Sequence, residues 1–113
     1  MLRLINLKEN GYSTEQAIAV AEIEIENAKR EGLVAIKFLH GYGSHGKGGV
    51  IMRELRRSLF AWKRTGLVLN YFGGDKWNLF DPNTKRILMK DKNIYNDPDI
   101  DKSNPGITIV EIN

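Results

Sequence analysis

Leu33-Val34-Ala35-Ile36-Lys37-Phe38-Leu39-His40, continued by Gly41-Tyr42-Gly43-Ser44-His45-Gly46-Lys47-Gly48-Gly49, is the stretch on which the fold turns. The segment from Leu33 to Leu39 is an almost unbroken apolar run of strand length, as expected of a strand buried in the middle of a sheet. The run stops at His40. Beyond the glycines, Ile51, Leu55, Leu59 and Trp62 recur on one face of a helix, and Arg53, Arg56, Arg57, Lys63 and Arg64 fill its other faces. Gly66 ends that helix and Leu67 to Phe72 reads as another strand.

Upstream, residues 2 to 7 alternate closely enough to form a first strand with one buried face, and Asn10-Gly11 turns the chain. Ser13 with Gln16 predicts a capping box, after which Ile18, Ala21, Ile25 and Ala28 carry a helix to about Glu31. Glu22-Ile23-Glu24-Ile25-Glu26 alternates like a strand, but its Ala-, Glu- and Lys-rich surroundings favour helix. Downstream, Gly73-Gly74 opens a polar segment. Asp81-Pro82 predicts an N-cap and first-turn proline for a short helix near 82 to 91, with a hairpin around Pro82-Asn83 as the competing reading. Ile107 to Ile112, after Asn104-Pro105-Gly106, reads as a closing strand. The order β-α-β-α-β-β argues for an α/β sandwich with a short inserted helix or hairpin.

A chain of 113 residues predicts one domain, 1–113. The absence of cysteine excludes disulfides, cysteine-based zinc sites and thiol catalysis, and fits a cytoplasmic home. With 42% hydrophobic and 27% charged residues the chain is neither disordered nor membrane-bound in character. No apolar run approaches the roughly 20 residues that span a bilayer, and Met1-Leu2-Arg3-Leu4 does not begin like a signal peptide, so no membrane association is expected. The net charge of +3 is unevenly spread. From Lys29 to Arg64, the cations Lys29, Arg30, Lys37, Lys47, Arg53, Arg56, Arg57, Lys63 and Arg64 face only Glu31 and Glu54. A solvated helix face would explain them, but they adjoin a loop suited to anions, which favours a phosphate-backbone footprint.

A glycine-rich turn between a strand and a helix lets backbone N–H groups approach a phosphate unobstructed, helped by the partial positive charge of the helix start. Gly41, Gly43 and Gly46 spell G-x-G-x-x-G, and Gly41, Gly46 and Lys47 spell G-x-x-x-x-G-K. Neither pattern is complete. Gly48 stands where a nucleotide-hydrolysing loop needs Ser or Thr for magnesium, and no acidic residue follows a second strand at the dinucleotide-binding spacing. Asp97, Asp99 and Asp101 imitate the start of a calcium loop, but Lys102 and Thr108 fall where glycine and glutamate are required, so they read as turn residues. No metal site and no cofactor is expected.

His40-Gly41-Tyr42-Gly43 at the end of an apolar strand, followed by a helix, resembles the signature of the small MutS-related (Smr) domain. The longer run to Gly49 is similar to the loop of stand-alone Smr-like proteins, and Gly106-Ile107-Thr108-Ile109-Val110 resembles the family's terminal Gly-x-Thr-x-Val strand. The likeness omits about 74–103, which is then an insertion. It implies a two-layer sandwich with a mixed four-stranded sheet and two main helices. It also implies nucleic-acid binding, with nicking or endonuclease activity on DNA or RNA in several members. Catalytic members carry an acid-Leu-His motif on the first strand; Asn6-Leu7-Lys8 stands there in this chain, with neither carboxylate nor imidazole.

Under this resemblance His40 is the candidate catalytic residue, a general acid/base at a phosphodiester, with a backbone-bonded histidine beside a tight turn as the alternative. Gly41, Tyr42, Gly43, Ser44, His45, Gly46, Lys47, Gly48 and Gly49, with Arg53, Arg56, Arg57 and Lys8, are the candidate phosphate-binding residues. Tyr42 and Trp77 are candidates for stacking on bases, and Phe60 and Trp62 for core packing. Two functions compete: a nuclease in which the 2′-hydroxyl of RNA can serve as nucleophile, and a non-catalytic module that binds DNA or RNA or joins a ribosome or repair complex. The oligomeric state is open.

Overall fold

The computed structural model describes residues 2–42 and 48–113. Four strands, β1 (Arg3–Asn6), β2 (Ala35–Leu39), β3 (Asn70–Gly73) and β4 (Ile107–Glu111), form one mixed sheet in the order β1-β2-β4-β3. Helices α1 (Thr14–Arg30) and α2 (Gly48–Thr65) cover one face, and a third helix, α3 (Pro82–Lys90), lies on the other between short 3-10 helices at Gly74–Lys76 and Lys92–Asn96. β1 and β2 run parallel, joined by α1; β4 is antiparallel to both of its neighbours. The β2-α2-β3 crossover therefore leaves a gap of one strand, and the last strand of the chain fills it.

Local chemistry sets the helix boundaries. Ser13 accepts from the Gln16 N–H at 3.1 Å while the Gln16 side chain accepts from the Ser13 N–H at 2.9 Å, completing the expected capping box. Ala17, Ala21, Ile25 and Ala28 are buried against the sheet, so the Glu-Ile alternation lies in a helix, with Ile25 inside and Ile23 exposed. Asp81 caps α3 through the Asn83 N–H at 2.9 Å with Pro82 in its first turn, which decides for the helix over the hairpin.

The two faces of the sheet hold two cores. Ile36, Phe38, Val110 and Ile112 meet Ala21, Ile25, Leu55 and Leu59 on the α1–α2 side. Ala35, Ile107 and Ile109 meet Phe72, Trp77, Ile87 and Ile94 on the other. Segment 74–103 is thus the cover of the second face, beyond the two layers that the Smr resemblance implies. Its ends meet: a Cβ on Gly74 would lie 1.9 Å from the Asn104 carbonyl oxygen, so only glycine fits.

Four sequence expectations are corrected on these faces. Trp77 is wholly buried, its Nε1 donating to Asp97 at 2.9 Å, and it stacks on no base. Lys37 points into the second core, where its ammonium bonds Asp97 at 2.8 Å and Asp99 at 2.7 Å, so it leaves the cationic footprint. For the same reason Asp97 and Asp99 are the partners of a buried lysine and not simple turn residues. Burial opposes the charge on Lys37, but the two carboxylates outweigh it and hold its pKa above the ordinary value. Phe60 is exposed on α2 and not part of the core, whereas Trp62 packs against it as expected.

Candidate functional site

The apolar run of β2 ends where its chain leaves the middle of the sheet, and the turn is built on one carbonyl. The His40 and Gly41 N–H groups both donate to Gly106 O, at 2.9 and 3.0 Å, tying the end of β2 to the start of β4. Gly41 has φ of +76°, and a Cβ on Gly106 would come within 3.3 Å of the Gly41 Cα. The left-handed backbone requires glycine at position 41, and the close approach at position 106 would make a side chain displace its neighbours by a few tenths of an ångström.

His40 is inaccessible to solvent. Its Nδ1 lies 2.6 Å from the Gly41 carbonyl oxygen, an acceptor only, so Nδ1 carries the proton of the neutral ring. Nε2 is then an acceptor and takes the Thr108 hydroxyl proton at 2.8 Å; that oxygen in turn accepts from Arg56 Nε at 3.3 Å. Arg56, Thr108 and His40 form a closed line of donors and acceptors from α2 through β4 to the end of β2. Desolvation lowers the His40 pKa, the Gly41 bond opposes this, and the Arg56 charge lowers it further; the net shift is downward from 6.5. The imidazole is held neutral.

Around this line lie further candidates. The Lys8 side chain runs over Gly41, its Cδ 3.4 Å from where a Gly41 Cβ would be. Asn6 fixes the approach of that lysine, since its side-chain oxygen accepts from the Lys8 and Glu9 N–H groups at 2.8 and 3.0 Å. Leu7 is buried in the core. Asn6-Leu7-Lys8 is therefore the end of β1 leading into a turn, with an outward cation. Tyr42, next to Gly41, is exposed. Arg56 Nη2 and Asp75 Oδ1 each stand 2.8 Å from the position a Gly73 Cβ would take. Among the described residues, neither terminal nitrogen of Arg56 makes a hydrogen bond.

Arg53 and Arg57 are exposed on α2, one turn apart, with Glu54 3.7 Å from Arg57. Gly48 and Gly49 begin that helix. Gly43, Ser44, His45, Gly46 and Lys47 lie outside the described residues. Other members of the cationic stretch are engaged elsewhere: Lys29 donates to the Gly66 and Leu67 carbonyls and Lys63 to Asn70. The structure thus brings Lys8, His40, Gly41, Tyr42 and Arg56 to one edge. Thr108 and Asp75 join them without having been singled out. For Thr108 the signal was present, a lone hydroxyl in an apolar closing strand; for Asp75 there was none. Among the described residues no group of three or more His, Asp or Glu side chains is placed to hold a metal ion, and no helix is long and apolar enough to cross a membrane.

No protein-family model matches the sequence, and no curated protein is similar to it. A solved structure is similar: the Smr domain of Thermus thermophilus MutS2 superposes with a TM-score of 0.62 over 99% of each chain, at 19% identity. With the strand order, the parallel first pair and the glycine turn after β2 in place, the chain has the fold of the Smr domain.

Proposed function

We propose that this chain is a nucleic-acid-binding module that grips the sugar-phosphate backbone of DNA or RNA at the end of β2. Lys8, Gly41, Tyr42, Arg53, Arg56 and Arg57 make the contact, and Gly43 to Gly49 complete it. The observation that carries this reading is the convergence of two cations on one turn: Lys8 lies over Gly41, and Arg56 is braced through Thr108 against His40. A guanidinium fixed by its Nε presents its remaining donors in a set direction, which suits a phosphate. In this reading the domain is a single unit, and 74–103 is an addition on the sheet's far face.

Cleavage is the competing reading, with His40 as general acid/base and the 2′-hydroxyl of RNA as nucleophile. Binding is favoured because the imidazole is buried with both nitrogens already bonded, which makes His40 a positioning residue for Gly41 and Arg56. Binding of labelled single- and double-stranded DNA and RNA, titrated with salt, tests the proposal. Affinity should fall steeply with salt, and Arg53→Ala or Arg57→Ala should each reduce the log–log slope by about 1. Salt-independent binding, or none at low salt, would overturn it. RNA products formed in chelator and abolished by His40→Gln would move the assignment to cleavage.

A further inference from the structure

We propose that the groove between α3 and the 3-10 helix Lys92–Asn96 is a docking site for an acidic peptide segment with apolar anchors, carried by a partner protein. The groove is open, about 620 Å³ in volume, and lined by Leu79, Lys85, Leu88, Met89, Lys92 and Tyr95. α3 is two-sided. Thr84 and Ile87 are buried against the sheet, while Lys85, Leu88 and Met89 share the face toward the groove. Met89 is 84% exposed and Tyr95, across the groove on the 3-10 helix, is 57% exposed. Neither is needed to seal the second core, which Trp77, Ile87 and Ile94 already close. Contiguous exposed apolar side chains on a folded surface mark an interaction site.

Charge decides the occupant. Five of the six aspartates of this segment are engaged: Asp81 with the Asn83 N–H, Asp91 with the Asn93 N–H, Asp101 with the Leu79 N–H, and Asp97 and Asp99 with Lys37; the sixth, Asp75, stands by Gly73 and does not line the groove. Arg86 and Lys90 are committed too, both bonded to the buried carboxylate of Glu111. Lys85 and Lys92, the cations that line the groove, make no ion pair among the described residues. The groove is therefore apolar at its floor and cationic at its rim. A second copy of this chain would set Lys85 and Lys92 against themselves across an isologous contact, so self-association is disfavoured. A short helix or strand carrying Asp or Glu beside Leu, Ile, Phe or Trp meets both requirements. The groove lies on the sheet face opposite α2, so the inference stands apart from the nucleic-acid reading.

A displayed library of random peptides, selected on the full chain, tests this directly. Selected peptides should combine acidic residues with large apolar ones. A labelled peptide of that consensus should bind about tenfold more weakly to Met89→Glu and to the Lys85→Glu/Lys92→Glu double variant. Because the altered side chains are exposed, thermal stability and nucleic-acid binding should be unchanged in both. A peptide with its acids replaced by lysine should not bind. Neutral or basic consensus peptides, peptides indifferent to Met89→Glu, or no peptides at all would overturn the proposal. So would a dimer, or binding to anionic vesicles, that Met89→Glu abolishes.

Discussion

At the scale of single residues, His40 shows how burial changes the meaning of a motif. A histidine after an apolar strand and before glycines reads as a reactive group, yet the fold engages both of its nitrogens: Nδ1 holds the Gly41 turn, and Nε2 ties β2 to Thr108 of β4 and braces Arg56. Its pKa is lower in the folded chain than in the unfolded one, so the unfolded state takes up the extra proton as pH falls. Stability should therefore decline below about pH 6.5. Wild type and His40→Gln, compared by urea unfolding across this range, should differ in slope, with the variant flatter down to about pH 4.5. A second decline follows below that pH in both. Burial works against ionisation of Glu111, but Arg86 and Lys90 outweigh it and hold its carboxyl below the ordinary value, so that contribution is lost only as the carboxyl is protonated. A wild type with flat stability between the two limits would contradict the account of His40.

At the scale of elements, periodicity was legible wherever one face of an element meets one core. The buried positions of α1 and α2 follow the helical spacing, and the caps of α1 and α3 stand where side-chain oxygens announced them. Lys37 was not legible, because a charge in a strand reads as solvent-facing until its partners are known. Those partners lie 60 and 62 residues away. Removing the ammonium strands Asp97 and Asp99 beside Trp77, so Lys37→Met should cost about 3–5 kcal/mol in the denaturant midpoint analysis. A loss under about 1 kcal/mol would mean that the carboxylates find water instead.

At the scale of the whole molecule, β4 holds the two cores together. It lies between β2 and β3 and is buried along its full length, contributing Ile107 and Ile109 to one core and Val110 to the other. Even Thr108 and Glu111 are enclosed, the first by His40 and Arg56 and the second by Arg86 and Lys90. A chain ending at Gly106 should therefore show no cooperative thermal transition by circular dichroism, although it retains every helix-forming segment. A sharp transition in that fragment would mean that the first three strands pair without their centre.

The sequence by itself determined what depends on neighbours along the chain: four strands, the two long helices, the N-caps at Ser13 and Asp81, the glycine turn after β2 and the resemblance that names the fold; between helix and hairpin at Pro82 the structure chose. Those features rest on local geometry and on contacts within a few residues. Only the tertiary structure decided which polar groups face water. It turned Trp77 and Lys37 inward, set Phe60 outward, and linked Arg56 through Thr108 to His40. Such outcomes follow from desolvation and pairing across strands distant in sequence, where a charge or an aromatic ring is equally compatible with surface and interior until its partner is in place.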